Sequence, residues 1–153
     1  MLFRSTCDSP DAENLRNGYD RPIGEEDNGV SVPMGSAIVY TFAQPSEVRQ
    51  VRLILDSDIN RDTLPKTEAK RERNMLHNRP LNWPDTYVPT TLLKAFRIEG
   101  ITLDGTTVTL HTESNNHRRL ILIPTTGTYT TIRLIPVASW GCDKARLFAF
   151  DVK

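Results

Sequence analysis

The chain lacks any long apolar run. The longest runs, such as "LILI" at 120–123, are far too short to span a bilayer, so no transmembrane segment is expected. It also lacks an excess of either charge. Nineteen Lys and Arg stand against nineteen Asp and Glu, and this balance removes the footprint of a protein that binds nucleic acid or an anionic membrane. Cysteine is scarce: Cys7 and Cys142 lie at opposite ends. A bond between them cannot be read from spacing, and both are expected as buried free thiols. No signal peptide is visible, because Met1 is followed at once by Arg4 and Asp8. The expectation is a soluble chain whose compartment is left open.

Catalytic signatures are missing as well. There is no GxGxxG and no Gly-rich phosphate loop ending in Lys-Ser or Lys-Thr. There is no G-x-S-x-G elbow. His77, His111 and His117 have no HExxH or CxxC context, which argues against zinc. Glu25, Glu26 and Asp27 form a charge run in a Gly-rich stretch and read as a solvated face. The chain is expected to carry no catalytic residue and no cofactor of its own.

What is present is short strands. At 153 residues, 38% apolar and 25% charged, the chain suits one globular domain with a real core. Residues 1–35 are polar and Gly-rich and read as loop with at most a short strand. Strand-like runs then recur between turn signals: "SAIVYTF" (36–42), "VRQVRLIL" (48–55), "AFRIEGITL" (95–103), "TVTLHT" (107–112), "RRLILI" (118–123), "YTTIRLIP" (129–136) and "ARLFAFDV" (145–152). Alternation places Val51, Leu53 and Leu55 on one face, Phe96 and Ile98 on another, and Phe148, Phe150 and Val152 on a third. Asp104-Gly105 predicts a two-residue hairpin turn. The best helix candidate, "TEAKRERNML" (67–76), would be a solvated surface element. The fold class is all-β, an antiparallel β-sandwich of about eight strands.

One region breaks this rhythm. Residues 62–92 form a loop of a length that is usually functional. It holds His77, Arg79, Trp83 and Tyr87 together with four prolines. An aromatic ring beside placed polar groups is what a sugar site uses; the simpler reading is that Trp83 plugs one end of the sandwich. The run just before it, "LILDSDINRD" (53–62), has oxygen ligands at alternate positions and invites comparison with a calcium loop. The template fails: Arg61 stands where the sharp-turn glycine belongs, Thr67 where the bidentate acid belongs, and a strand precedes it instead of a helix. Asp56 and Asp58 are instead expected to pair with Arg61 or Arg146 in forked, structural contacts. Trp140 is expected to close one end of the core.

Three stretches carry a resemblance: "AENLRNGYDRP" (12–22), "IVYTFAQPSEVRQVRLILDSDINR" (38–61), and the closing "IRLI", "WG" and "ARLFAFDV". Together they resemble a discoidin or galactose-binding-like jelly-roll domain. In detail they are most similar to the C-terminal domain of bacterial FAD-dependent oxidoreductases, through the runs Asp56–Arg61 and Trp140–Phe148. The resemblance covers about Ala12 to Val152 and implies residues 12–153 as the domain, with 1–11 a flexible N-terminal segment. It implies an accessory domain whose parent holds the FAD and whose partner is the parent's flavin domain. The alternative it implies is a carbohydrate-binding module using the 62–92 loop, with Arg61, His77, Arg79, Trp83 and Tyr87 as ligand-binding candidates. Some relatives hold a structural calcium, for which Asn17 and Asp20 are the matching ligands here. The departures are Gly29-Val30-Ser31 in place of the family's W-V-S, Ala37 and Thr41 in its next strand, and Ala149 in place of the calcium-holding glutamate.

Overall fold

A computed structural model describes residues 2–3, 12–58 and 88–153. Among these residues nine strands form two antiparallel sheets: β1 (Leu2–Phe3), β2 (Val30–Pro33), β3 (Ile38–Glu47), β4 (Gln50–Leu55), β5 (Leu93–Ile101), β6 (Thr107–Glu113), β7 (Leu120–Pro124), β8 (Thr128–Ser139) and β9 (Lys144–Val152). One sheet runs β1-β3-β8-β5-β6 and the other β2-β9-β4-β7. The first 35 residues hold more structure than composition indicated, namely β1, β2 and a 3-10 turn at Ala12–Arg16. The pairing of β1 with β3 and of β2 with β9 supplies the backbone partners that make such short strands possible. No helix among the described residues is long and apolar enough to cross a membrane. The segment 67–76 lies outside the described residues.

The core is one cluster enclosed by the inner faces of the two sheets. Val51, Leu53 and Leu55 enter it from β4, and Phe96 and Ile98 from β5, all fully buried. On β9 the face differs from expectation. Leu147 lies opposite Leu55, while Ala149 lies opposite the adjacent Ile54, so Phe148 is the extra residue of a β-bulge. The bulge shifts the alternation. Leu147 and Phe150 join the main core, Val152 packs against it, and Phe148 packs with Ile54 and Ala149 in a separate cluster. The β5–β6 turn is also wider than two residues. Leu103, Asp104 and Gly105 form it, closed by Thr102 N donating to Thr106 O at 3.0 Å, with Gly105 at φ +84°. Asp104 accepts from the Thr102 hydroxyl and from Thr106 N, which favours the wider turn with glycine in the left-handed region.

Candidate functional site

Among the described residues, one side of the sandwich is bordered by β6, the edge of the first sheet, and β7, the edge of the second. The register decides what faces the gap between them. Phe96 pairs with Glu113 and Ile98 with His111, so His111 and Glu113 share the inner face with two core residues. A bulge at Leu110, between the pairs Ile98–His111 and Glu99–Thr109, lets Leu110 pack against the core as well. Opposite them, Ile121 pairs with Leu53 and Ile123 with Val51, so both isoleucines face inward from β7. Between these walls lies a slot of about 810 Å³. One wall is polar, the other apolar. The His111 ring rests 5.7 Å from that of Phe96.

The slot is closed at one end by the β6–β7 connection, and Asn116 holds this connection in place. Its side-chain amide donates to Leu93 O and Arg118 O, its Oδ1 accepts from Arg118 N, and its backbone N donates to Lys94 O, all at 2.9 Å. Its carbonyl accepts from Trp140 Nε1 at 2.8 Å. A buried asparagine with this many partners fixes its neighbours, and those neighbours are Asn115, His117 and Arg118, which line the slot. Trp140, from the β8–β9 connection, carries the Lys94 ammonium 4.7 Å from its ring centroid and the His117 ring at the same distance. Glu113 Oε1 accepts from Asn115 N at 2.9 Å and Ser114 N at 2.8 Å. The Asn115 N–H is the chief reason its carboxyl titrates below the usual range; burial opposes it, and Ser114, His111 and Arg118 each add smaller help. Glu113 is therefore an ionised acceptor at neutral pH, set among donors.

The residues singled out in the sequence fall elsewhere. Arg61, His77, Arg79, Trp83 and Tyr87 lie outside the described residues. Asp56 is buried, and its Oδ2 takes Arg146 Nη1 at 3.1 Å while its Oδ1 accepts from Asp58 N at 2.8 Å. Asp58 has φ +47°, a left-handed geometry that aspartate tolerates in turns. Arg146 also binds Asp27. Asn17 accepts from Tyr19 N and donates to Asn28 Oδ1. Asp20 Oδ2 takes Arg52 at 2.6 Å, and the Asp20 carbonyl accepts from Arg119. Arginine thus neutralises Asp20, and Ala149 brings no acid to it. No group of three or more His, Cys, Asp or Glu able to hold a metal occurs among the described residues. Cys142 is a free thiol, half-buried instead of buried, because it sits in the exposed β8–β9 connection. The slot residues were passed over in the sequence. Their one signal was "HTESNNHRR" (111–119), a polar run joining two strands.

No family model matches the sequence, and no curated protein does. Solved structures do match in fold. The family 32 carbohydrate-binding module of EndoD from Streptococcus pneumoniae is 12% identical, with a TM-score of 0.62 over 92% of this chain and 83% of that one. A GH31 CBM32-2 domain bound to GalNAc is 8% identical, TM-score 0.65, over 92% and 85%. The family 32 module of C. perfringens NanJ in complex with galactose is 7% identical, TM-score 0.62, over 99% and 91%. At these identities the likeness establishes a shared β-sandwich fold.

Proposed function

We propose that the chain is a non-catalytic carbohydrate-binding module, and that its binding site is the slot between β6 and β7. One observation carries the reading: the slot is two-faced. A sugar ring has a C–H face and a rim of hydroxyls. Ile121, half-buried on the slot side of β7, suits the first, and Glu113, His111, Asn115 and Arg118 supply acceptors and donors for the second. The same inward polar residues could serve only to keep an edge strand from pairing with another chain. That simpler role does not call for the apolar wall opposite or for the five-bonded Asn116 that orders the connection. The sugar-bound GalNAc and galactose structures of the same fold favour this reading over docking on the flavin domain of an FAD-dependent oxidoreductase, which draws no support from them.

The test is isothermal titration with galactose, GalNAc and other simple sugars, on the natural chain and on His111→Leu. Leucine keeps the contact with Phe96 and removes the ring nitrogens. The expected result is saturable binding by the natural chain and markedly weaker binding by the variant at unchanged melting temperature. Absence of saturable binding to every sugar at millimolar concentration overturns the proposal.

A further inference from the structure

The chain contains two Asn-Gly steps, Asn17-Gly18 and Asn28-Gly29. Such a step is chemically labile, because glycine has no side chain to shield its backbone nitrogen from the asparagine amide before it. The fold treats the two steps in opposite ways. Asn17 follows the 3-10 turn at Ala12–Arg16, and both it and Gly18 are exposed. Gly18 has φ +85°, and a Cβ placed there would meet nothing within 4 Å. No hydrogen bond to a described residue occupies the Gly18 N–H. The Asn17 side chain folds forward, and its Oδ1 accepts from Tyr19 N at 2.8 Å. The ring closed by this bond runs through both the side-chain amide carbon and the Gly18 nitrogen, so the two lie across one small turn.

Asn28-Gly29 is held on every side. Asn28 is 8% exposed. Its Nδ2 donates to Arg21 O and Glu26 O at 3.4 and 3.5 Å, and its Oδ1 accepts from Asn17 Nδ2 at 3.3 Å. An added Cβ on Gly29 would lie 3.0 Å from Arg146 Nε and 3.1 Å from Phe148 Cε1. The next residue, Val30, is paired with Leu147 of β9.

We infer that Asn17 is a site of spontaneous deamidation, and that the fold directs this reaction to Asn17 and away from Asn28. The Gly18 N–H gives its proton to solvent, and the nitrogen attacks Asn17 Cγ. As the N–Cγ bond forms, negative charge collects on Oδ1, where the Tyr19 N–H already points. The Cγ–Nδ2 bond then breaks. Nδ2 leaves as ammonia, carrying the proton that the solvent took from Gly18. The product is a cyclic imide, and water opens it at either carbonyl. Opening at Cγ gives aspartate; opening at the backbone carbonyl gives isoaspartate, with the chain running through the former side chain. Water is the only co-reactant, and nothing is oxidised or reduced. In the product, the donor to Asn28 Oδ1 is gone and an acid stands in its place. Nearby, Asp20 holds Arg52 through its carboxylate and Arg119 through its carbonyl. The reaction therefore loosens a segment that ties the chain before β2 to β4 and to the residue before β7.

The experiment is incubation of the natural chain in neutral buffer, with peptide mapping by tandem mass spectrometry at intervals, beside a sample unfolded in urea. In the folded chain Asn17 is expected to convert at least about tenfold faster than Asn28, which reacts only after local opening. In urea the two steps are expected to convert at similar rates. No conversion at Asn17 in the folded chain, or conversion of Asn28 at an equal or greater rate, overturns the inference. Asn17 is also expected to convert at least as fast folded as unfolded. A slower folded rate means that the Tyr19 bond shields the amide, and it overturns the role given to the turn. Asn17→Asp supplies one product without the reaction and is expected to melt below the natural chain. An unchanged melting temperature overturns the loosening.

Discussion

Arg52 joins three parts of the chain. From the outer face of β4 its Nη2 reaches Asp20 Oδ2, in the segment before β2, and its Nη1 reaches Asp151 Oδ2 on β9, each at 2.6 Å. Replacing it with methionine keeps an apolar stem of similar length and removes both contacts. A hydrogen bond to a charged group contributes roughly 1.5–3 kcal/mol when sheltered, and a surface ion pair about 0–1. The Asp20 and Asp151 side chains are 38% and 30% exposed, which places each contact between those limits after screening. Arg52→Met should then cost about 2–3 kcal/mol, with some of it due to the two carboxylates left facing each other. For a chain of this length that corresponds to a fall of roughly 4–12 °C in melting temperature. The assay is a thermal melt followed by circular dichroism, in low and in high salt. The deficit should shrink as salt screens the pairs. Because the guanidinium already neutralises Asp20, added calcium should leave the natural chain's melting temperature unchanged. A variant that melts with the natural chain, or a natural chain strongly stabilised by calcium, would refute the reasoning.

Two further predictions concern the first sheet. Glu99 is buried between Arg133 Nε and Arg97 Nε, both at 2.5 Å. Burial by itself raises its pKa, but the bonds from Arg133 and Arg97 together outweigh it and hold the carboxyl below its ordinary value of 4.5. A lowered folded-state value means the contribution is complete above the unfolded value and is lost as pH falls through the folded one. Glu99→Gln should cost about 1–2 kcal/mol at neutral pH, the low end because Arg97 is exposed and Arg133 partly so, and the gap in urea midpoint should close as pH falls below 4.5. A gap independent of pH would count against the pairing. Gly100 packs under Tyr129, where an added Cβ would lie 2.6 Å from Cδ1 of the buried ring. Gly100→Ala should destabilise by about 1–3 kcal/mol through overpacking, read as a lower urea midpoint at unchanged slope.

Much of the fold was legible because alternation alone places Val51, Leu53 and Leu55, or Phe96 and Ile98, on one face of a strand. It failed at β9, where Leu147, Phe148, Ala149 and Phe150 are all buried and a run without polar residues carries no phase. The pairing of Asp56 with Arg146 spans ninety residues; the sequence offers Arg61 or Arg146 as partner, and the register of β4 and β9 is what brings Arg146 to Asp56. The slot shows the same limit more sharply. Taken alone, "TVTLHTE" (107–113) puts Leu110 inward and His111 outward, which makes the histidine an ordinary surface side chain. The bulge at Leu110 restarts the alternation, so that His111 and Glu113 turn toward the interior. Half of that information resides in β5, which supplies Phe96 and Ile98 as the pairing partners, and the apolar wall comes from β7, whose inward face is set by β4. A site made in this way depends on the register among four strands, and no window on a single strand contains it.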